Sequence, residues 1–127
     1  MASTILIVDD HPGFRASARR MLEDAGYDVV AEAADGTSAL AAARDLHPAV
    51  VLLDVYLPDL DGFEVAARLA DGDDPPAVVL TSSHEADDFA DSVTRSGARG
   101  FLSKRELSGP ALAAMLGQQP GLRSLDR

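Results

Sequence analysis

Short apolar runs at Ile5 to Val8, Asp28 to Ala31, Ala49 to Leu53, Ala77 to Leu80 and Gly100 to Leu102 alternate with segments whose apolar residues recur at helical spacing. In the first such segment Phe14, Ala18, Met21, Leu22 and Ala25 stack on one face, with Pro12 suited to the first turn and Gly26 to the end. The second, from about Thr37 to Leu46, aligns Ala39, Leu40, Ala43 and Leu46, follows the Asp35-Gly36 turn and is stopped by Pro48. A third, about Phe63 to Ala70, runs into the polar loop Asp71-Gly72-Asp73-Asp74-Pro75-Pro76. A fourth places Ala86, Phe89, Ala90 and Val93 on one face and ends at Gly97, and Ser108 is placed to cap a fifth beginning near Pro110. The pattern dissolves after Met115-Leu116-Gly117, so residues 1–117 read as one domain and 118–127 as a C-terminal tail or the start of a linker.

Strands alternating with helices predict an α/β fold with a parallel sheet buried on both faces. Five βα units in this length match a flavodoxin-like (βα)5 doubly wound sheet with strand order 2-1-3-4-5, in which strands 1 and 3 lie side by side at the switch point. The apolar run at Ile5 ends in Asp9-Asp10 and the run at Val50 ends in Asp54. In that topology the three carboxylates meet at one edge, joined by Thr81-Ser82-Ser83 and Ser103-Lys104 from the ends of strands 4 and 5. At roughly 4 Å and an effective dielectric near 20, each pair of like charges costs about 4 kcal/mol, so the cluster needs a cation or a raised pKa. An all-oxygen donor set points to Mg²⁺.

Eleven basic residues against twenty-one acidic ones give a formal charge of −10, which argues against direct nucleic-acid binding by this chain. The absence of cysteine removes disulfides and thiolate metal sites and fits a reducing compartment, with cytoplasm the expectation. The apolar run ending at Asp9 is too short to span a membrane, and no basic segment precedes it.

Asp9-Asp10, Asp54 with Pro58 and Gly62, Thr81, and Lys104 preceded by Phe101, each at a predicted strand end, together resemble the receiver domain of bacterial two-component response regulators. Asp9-Asp10-His11-Pro12 and Gly100-Phe101-Leu102-Ser103-Lys104 further resemble the subfamily often fused to a helix-turn-helix output domain. The resemblance implies a phosphorylation-dependent switch that takes a phosphoryl group from a sensor histidine kinase or phosphotransfer protein onto Asp54. It implies a signalling domain with slow self-catalysed phosphotransfer and dephosphorylation, not a turnover enzyme. By the same resemblance Asp10 ligates Mg²⁺ directly, Asp9 largely through water, Asp54 through one oxygen and Tyr56 through its backbone carbonyl. Lys104 then meets the phosphoryl group, Ser82 adds a backbone amide, and Thr81 and Phe101 form the switch. Phe101 lacks the hydroxyl of the tyrosine that the family often carries there. Tyr56 and Ser83 flank the approach of water and tune the lifetime. Residues 1–117 are then the receiver domain, with a homodimer or output partner expected on the face of helix 4, strand 5 and helix 5.

Other readings are open at this level. Asp54 could cap a turn, Asp9-Asp10 could simply favour the start of the first helix, and Thr81 could satisfy a local amide. A magnesium-dependent phosphatase would want a second acid where Tyr56 stands. A flavin carrier would need a phosphate-cradling loop where the chain has acids, whereas a phosphorylation-independent interaction domain of the same fold is the more serious alternative. His11, His47 and His84 fall on different segments without metal spacing. Arg95, Arg99, Lys104 and Arg105 form a basic grouping suited to a partner face.

Overall fold

The computed structural model describes residues 3–83 and 90–117. Along the chain come β1 (Thr4–Val8), α1 (Pro12–Asp24), β2 (Asp28–Ala33), α2 (Gly36–Leu46), β3 (Val50–Asp54), α3 (Gly62–Ala70), β4 (Ala77–Ser82), α4 (Ala90–Ser96), β5 (Gly100–Ser103) and α5 (Gly109–Met115). The strands form one parallel sheet in the order β2-β1-β3-β4-β5, the order expected of the flavodoxin-like doubly wound fold.

Period-two side-chain alternation divides β1, β3, β4 and β5 between two cores. Ile5, Ile7, Leu52 and Val79 pack with Ala18 and Leu22 of α1 and Leu112 of α5. Leu6, Val8, Leu53 and Leu80 pack with Ala39 and Ala43 of α2 and Val65, Ala66 and Leu69 of α3. Residues from both layers are fully buried, which is why these strands are apolar at successive positions.

Several helix details depart from the periodic reading. Ala25, expected on the buried face of α1, is its exposed C-terminal cap and lies against Gly109, where an added Cβ would come within 2.6 Å of the Ala25 Cβ. Leu46, expected on the buried face of α2, is 48% exposed, because the helix ends there. His47 adopts a left-handed conformation (φ 47°) that ends α2, and Pro48 follows as a buried residue, so the stop comes one residue before the proline. In α4, Val93 packs on the sheet as expected, while Ala86 and Phe89 lie outside the described residues. The tail 118–127 also lies outside them. Ser108 caps α5, its hydroxyl accepting from the Ala111 amide at 3.0 Å. Among the described residues no helix is long and apolar enough to cross a membrane.

Candidate functional site

Strand alternation also aims the acids. Ile7 and Leu52 are register partners facing α1 and α5, and two residues further along each strand the same parity reaches Asp9 and Asp54. Both are buried, with Asp9 fully inaccessible and Asp54 3% exposed, whereas Asp10 is exposed. One carboxylate oxygen from each of the three, with a ring nitrogen of His11, lies within 4.8 Å of the others. The sequence reading set His11 aside. Its Nδ1 in fact stands 3.1 Å from both Asp9 Oδ1 and Asp10 Oδ1, and its amide donates to Asp9 Oδ1 at 2.8 Å. Its adjacency to Asp9-Asp10 was the available signal.

The repulsion expected of such a cluster is relieved in both ways that electrostatics allows. Lys104 places its ammonium 2.7 Å from Asp9 Oδ2 and 3.5 Å from Asp54 Oδ2. Burial, and after it the charge of Asp9, pushes the Asp54 carboxyl up to about 6, against the opposing pull of the Tyr56 amide and Lys104. The Tyr56 amide donates to Asp54 Oδ1 at 3.1 Å.

Lys104 thus leaves the basic grouping in which the sequence placed it, its side chain only 15% exposed inside the acid cluster. Arg95, Arg99 and Arg105 remain exposed, and Arg99 donates to the Leu116 carbonyl at the end of α5. The Lys104 backbone is anchored through its amide to the Ser82 carbonyl at 2.8 Å. The turn behind it is closed by Glu106, which accepts from the Ser103 hydroxyl at 3.0 Å and whose amide donates to the Ser103 carbonyl at 2.9 Å.

Thr81 is the register partner of Asp54, so the two side chains share a face of the sheet. Its hydroxyl is buried and, among the described residues, has no hydrogen-bond partner. A buried hydroxyl left unsatisfied is costly and wants an explanation. Ser82 is fully buried at the strand end, Ser83 is exposed, and Phe101 is half-buried with Leu80 as its register partner. Tyr56 is 55% exposed, and His84 lies outside the described residues.

Two supports were missed from sequence because each has a partner distant along the chain. Arg15 donates to the Asp9 carbonyl at 2.6 Å and to Glu32 at 3.1 Å, tying the acidic loop to β2. Asp59, in the loop after Asp54, accepts from the amides of Gly36 at 2.7 Å and Thr37 at 2.9 Å, clasping the start of α2. Gly62 has no room for a side chain, since a Cβ there would overlap the Asp54 carbonyl oxygen and the Val55 backbone. That close approach is the physical content of the glycine in the Asp54, Pro58, Gly62 pattern.

Comparison with known proteins agrees with this geometry. Residues 5–116 match the family model described as the response regulator receiver domain. A putative transcriptional regulator of Pseudomonas aeruginosa is 45% identical over 114 residues, covering 88% of this chain and 55% of that protein. BvgA of Bordetella pertussis, named a putative positive transcription regulator of virulence factors, is 39% identical over 106 residues, covering 84% and 51%. The signal receiver domain of the putative response regulator NarL from Mycobacterium tuberculosis superposes with a TM-score of 0.82 at 34% identity, covering 92% and 98%. The chain spans about half the length of the curated relatives it matches. With the match running through both acidic strand ends and Lys104, this chain belongs to the family of response regulator receiver domains.

Proposed function

We propose that this domain is a phosphorylation-dependent switch in which Asp54 accepts a phosphoryl group from the phosphohistidine of a sensor kinase or phosphotransfer protein. The observation that carries the reading is the Thr81 hydroxyl, buried beside Asp54 on the neighbouring strand without a hydrogen-bond partner among the described residues. A phosphoryl oxygen on Asp54 gives it one. In the transfer a carboxylate oxygen of Asp54 forms the new P–O bond while the P–N bond to imidazole breaks, and the leaving imidazole keeps that bonding pair. Lys104 holds positive charge against the acids before transfer and against the phosphoryl oxygens after it.

The donor set suits Mg²⁺: every carboxylate ligand is a hard oxygen, and Asp54 is driven toward its protonated form in the absence of a second cation. Asp9, Asp10, Asp54 and the Tyr56 carbonyl would hold the ion, which when bound supplies charge neutralisation for the transferring phosphoryl group. Around it, Ser82 offers a backbone amide, and Thr81 and Phe101 carry the response toward α4, β5 and α5, the face assigned to a second copy or an output partner. A reducing cytoplasm suits a cysteine-free chain with this role.

Amide chemical shifts test the switch. With Mg²⁺ and acetyl phosphate, wild type should shift at Thr81, Phe101 and along β5. Lys104→Ala should still take some phosphoryl group at Asp54 while losing most of that change. Equal responses in the two proteins would remove Lys104 from the coupling, and no response in wild type would favour the phosphorylation-independent interaction domain.

A further inference from the structure

We infer that Phe14 is a positioning residue for Lys104, its ring holding the ammonium against the acid pair by a cation–π contact; this rests on the reading of Asp54 and Lys104 above. The Lys104 Nζ stands 4.5 Å from the centroid of the Phe14 ring, with Asp9 Oδ2 at 2.7 Å and Asp54 Oδ2 at 3.5 Å. A lysine on a four-carbon stem has many rotamers and a strongly hydrated head. Here that head is only slightly exposed, so the ring face replaces solvent on one side. Cation–π attraction is strongest where the cation is desolvated in this way.

The arrangement comes from a single junction. Asp9 ends β1, and Phe14 lies in the first turn of α1, which Pro12 helps to start. The two are linked by the loop in which the His11 amide donates to Asp9. One short segment thus supplies both the carboxylate that attracts Lys104 and the ring that borders it, while Lys104 itself arrives from the end of β5. Phe14 also packs against the core on the α1 and α5 side, which accounts for an apolar residue there. Packing alone would be served as well by leucine or by an electron-poor ring. The ring's negative face makes the difference. It keeps the ammonium from swinging to solvent, so that Lys104 is already beside Asp54 when the phosphoryl group arrives.

Replacing Phe14 with mono-, di- and trifluorinated phenylalanine removes the quadrupole stepwise at nearly constant volume, and Phe14→Leu removes the ring. In the full chain the Lys104 ε-methylene protons should show an upfield ring-current shift that Phe14→Leu abolishes. Exchange of the Lys104 ammonium protons with water should rise stepwise, by about threefold to tenfold across the fluorine series. The initial rate of phosphorylation by acetyl phosphate in excess Mg²⁺ should fall in the same order and by a similar factor. Ammonium exchange that is flat across the fluorinated rings overturns the inference, whatever Phe14→Leu does to stability. Graded exchange in a protein whose Asp54 takes no phosphoryl group would support the contact and refute the phosphoacceptor reading instead.

Discussion

Asp54 sits at the end of a strand where burial and a neighbouring carboxylate both oppose its charge, and the consequence is a carboxyl that titrates near 6 instead of 3.8. The folded state therefore holds that proton more tightly than the unfolded chain does. Its stabilising contribution is complete below about pH 4 and is lost as pH rises through about 6. Glu32 and Asp59, both held below the usual range by their hydrogen bonds, act in the opposite sense, but only at lower pH. Metal-free protein should accordingly be more stable at pH 5.5 than at pH 7.5, by on the order of 1 kcal/mol, and Asp54→Asn should flatten that slope. Urea unfolding at the two pH values checks it, and an equal slope in the variant would mean that Asp54 is not the titrating group. We propose that two further residues set how long a phosphoryl group would last. Tyr56 is largely exposed and bulky, and Ser83 is exposed, short and uncharged. Tyr56→Asn with Ser83→Glu should open the approach of water and shorten the lifetime about tenfold, if the barrier falls by roughly 1.4 kcal/mol. Loss of phosphoprotein over time in excess Mg²⁺ measures this, and an unchanged lifetime would dismiss the shielding role.

At the level of elements, the sheet was legible and its attachments were not. Apolar runs such as Ile5 to Val8 and Val50 to Leu53 announce doubly buried strands because both faces need apolar cover, and Asp9 and Asp54, which end them, are themselves buried beside Lys104. Helix faces were legible where packing is central, as at Ala18 and Leu22, and misread at helix ends, as at Ala25 and Leu46. The ties that fix the site join residues far apart in the chain, and no local pattern encodes them. Asp59 is the instructive case, since it clasps α2 while belonging to the loop that carries Tyr56. Asp35 caps the same helix but is its immediate neighbour, accepting from the Ser38 amide at 2.8 Å. Both Asp59→Ala and Asp35→Ala should lower the melting temperature. Only Asp59→Ala should also weaken Mg²⁺ binding, by several-fold in calorimetric titration, because the Tyr56 loop then loses its anchor. Equal Mg²⁺ affinity in the two variants would confine Asp59 to helix capping.

For the whole molecule, the topology is what turns four scattered sequence features into one centre. Strand order 2-1-3-4-5 sets β1 beside β3 and β3 beside β4, so Asp9 approaches Asp54, Thr81 pairs with Asp54, and Lys104 returns from β5 to close the cluster. The sequence could announce which residues meet because five βα units in this length match the flavodoxin-like doubly wound sheet, whose strand order is 2-1-3-4-5. It could not announce that His11 would join the acids, or that Phe14 would lie under Lys104, because those depend on side-chain directions at a loop and a helix start. The family match covers nearly all of this chain, and every proposal made for it rests on Asp54 as the phosphoacceptor. The most direct test is intact mass after incubation with Mg²⁺ and acetyl phosphate. Wild type should gain one phosphoryl group and Asp54→Ala none; an unmodified wild type, or a variant that still gains the mass, would mean that Asp54 is not the acceptor.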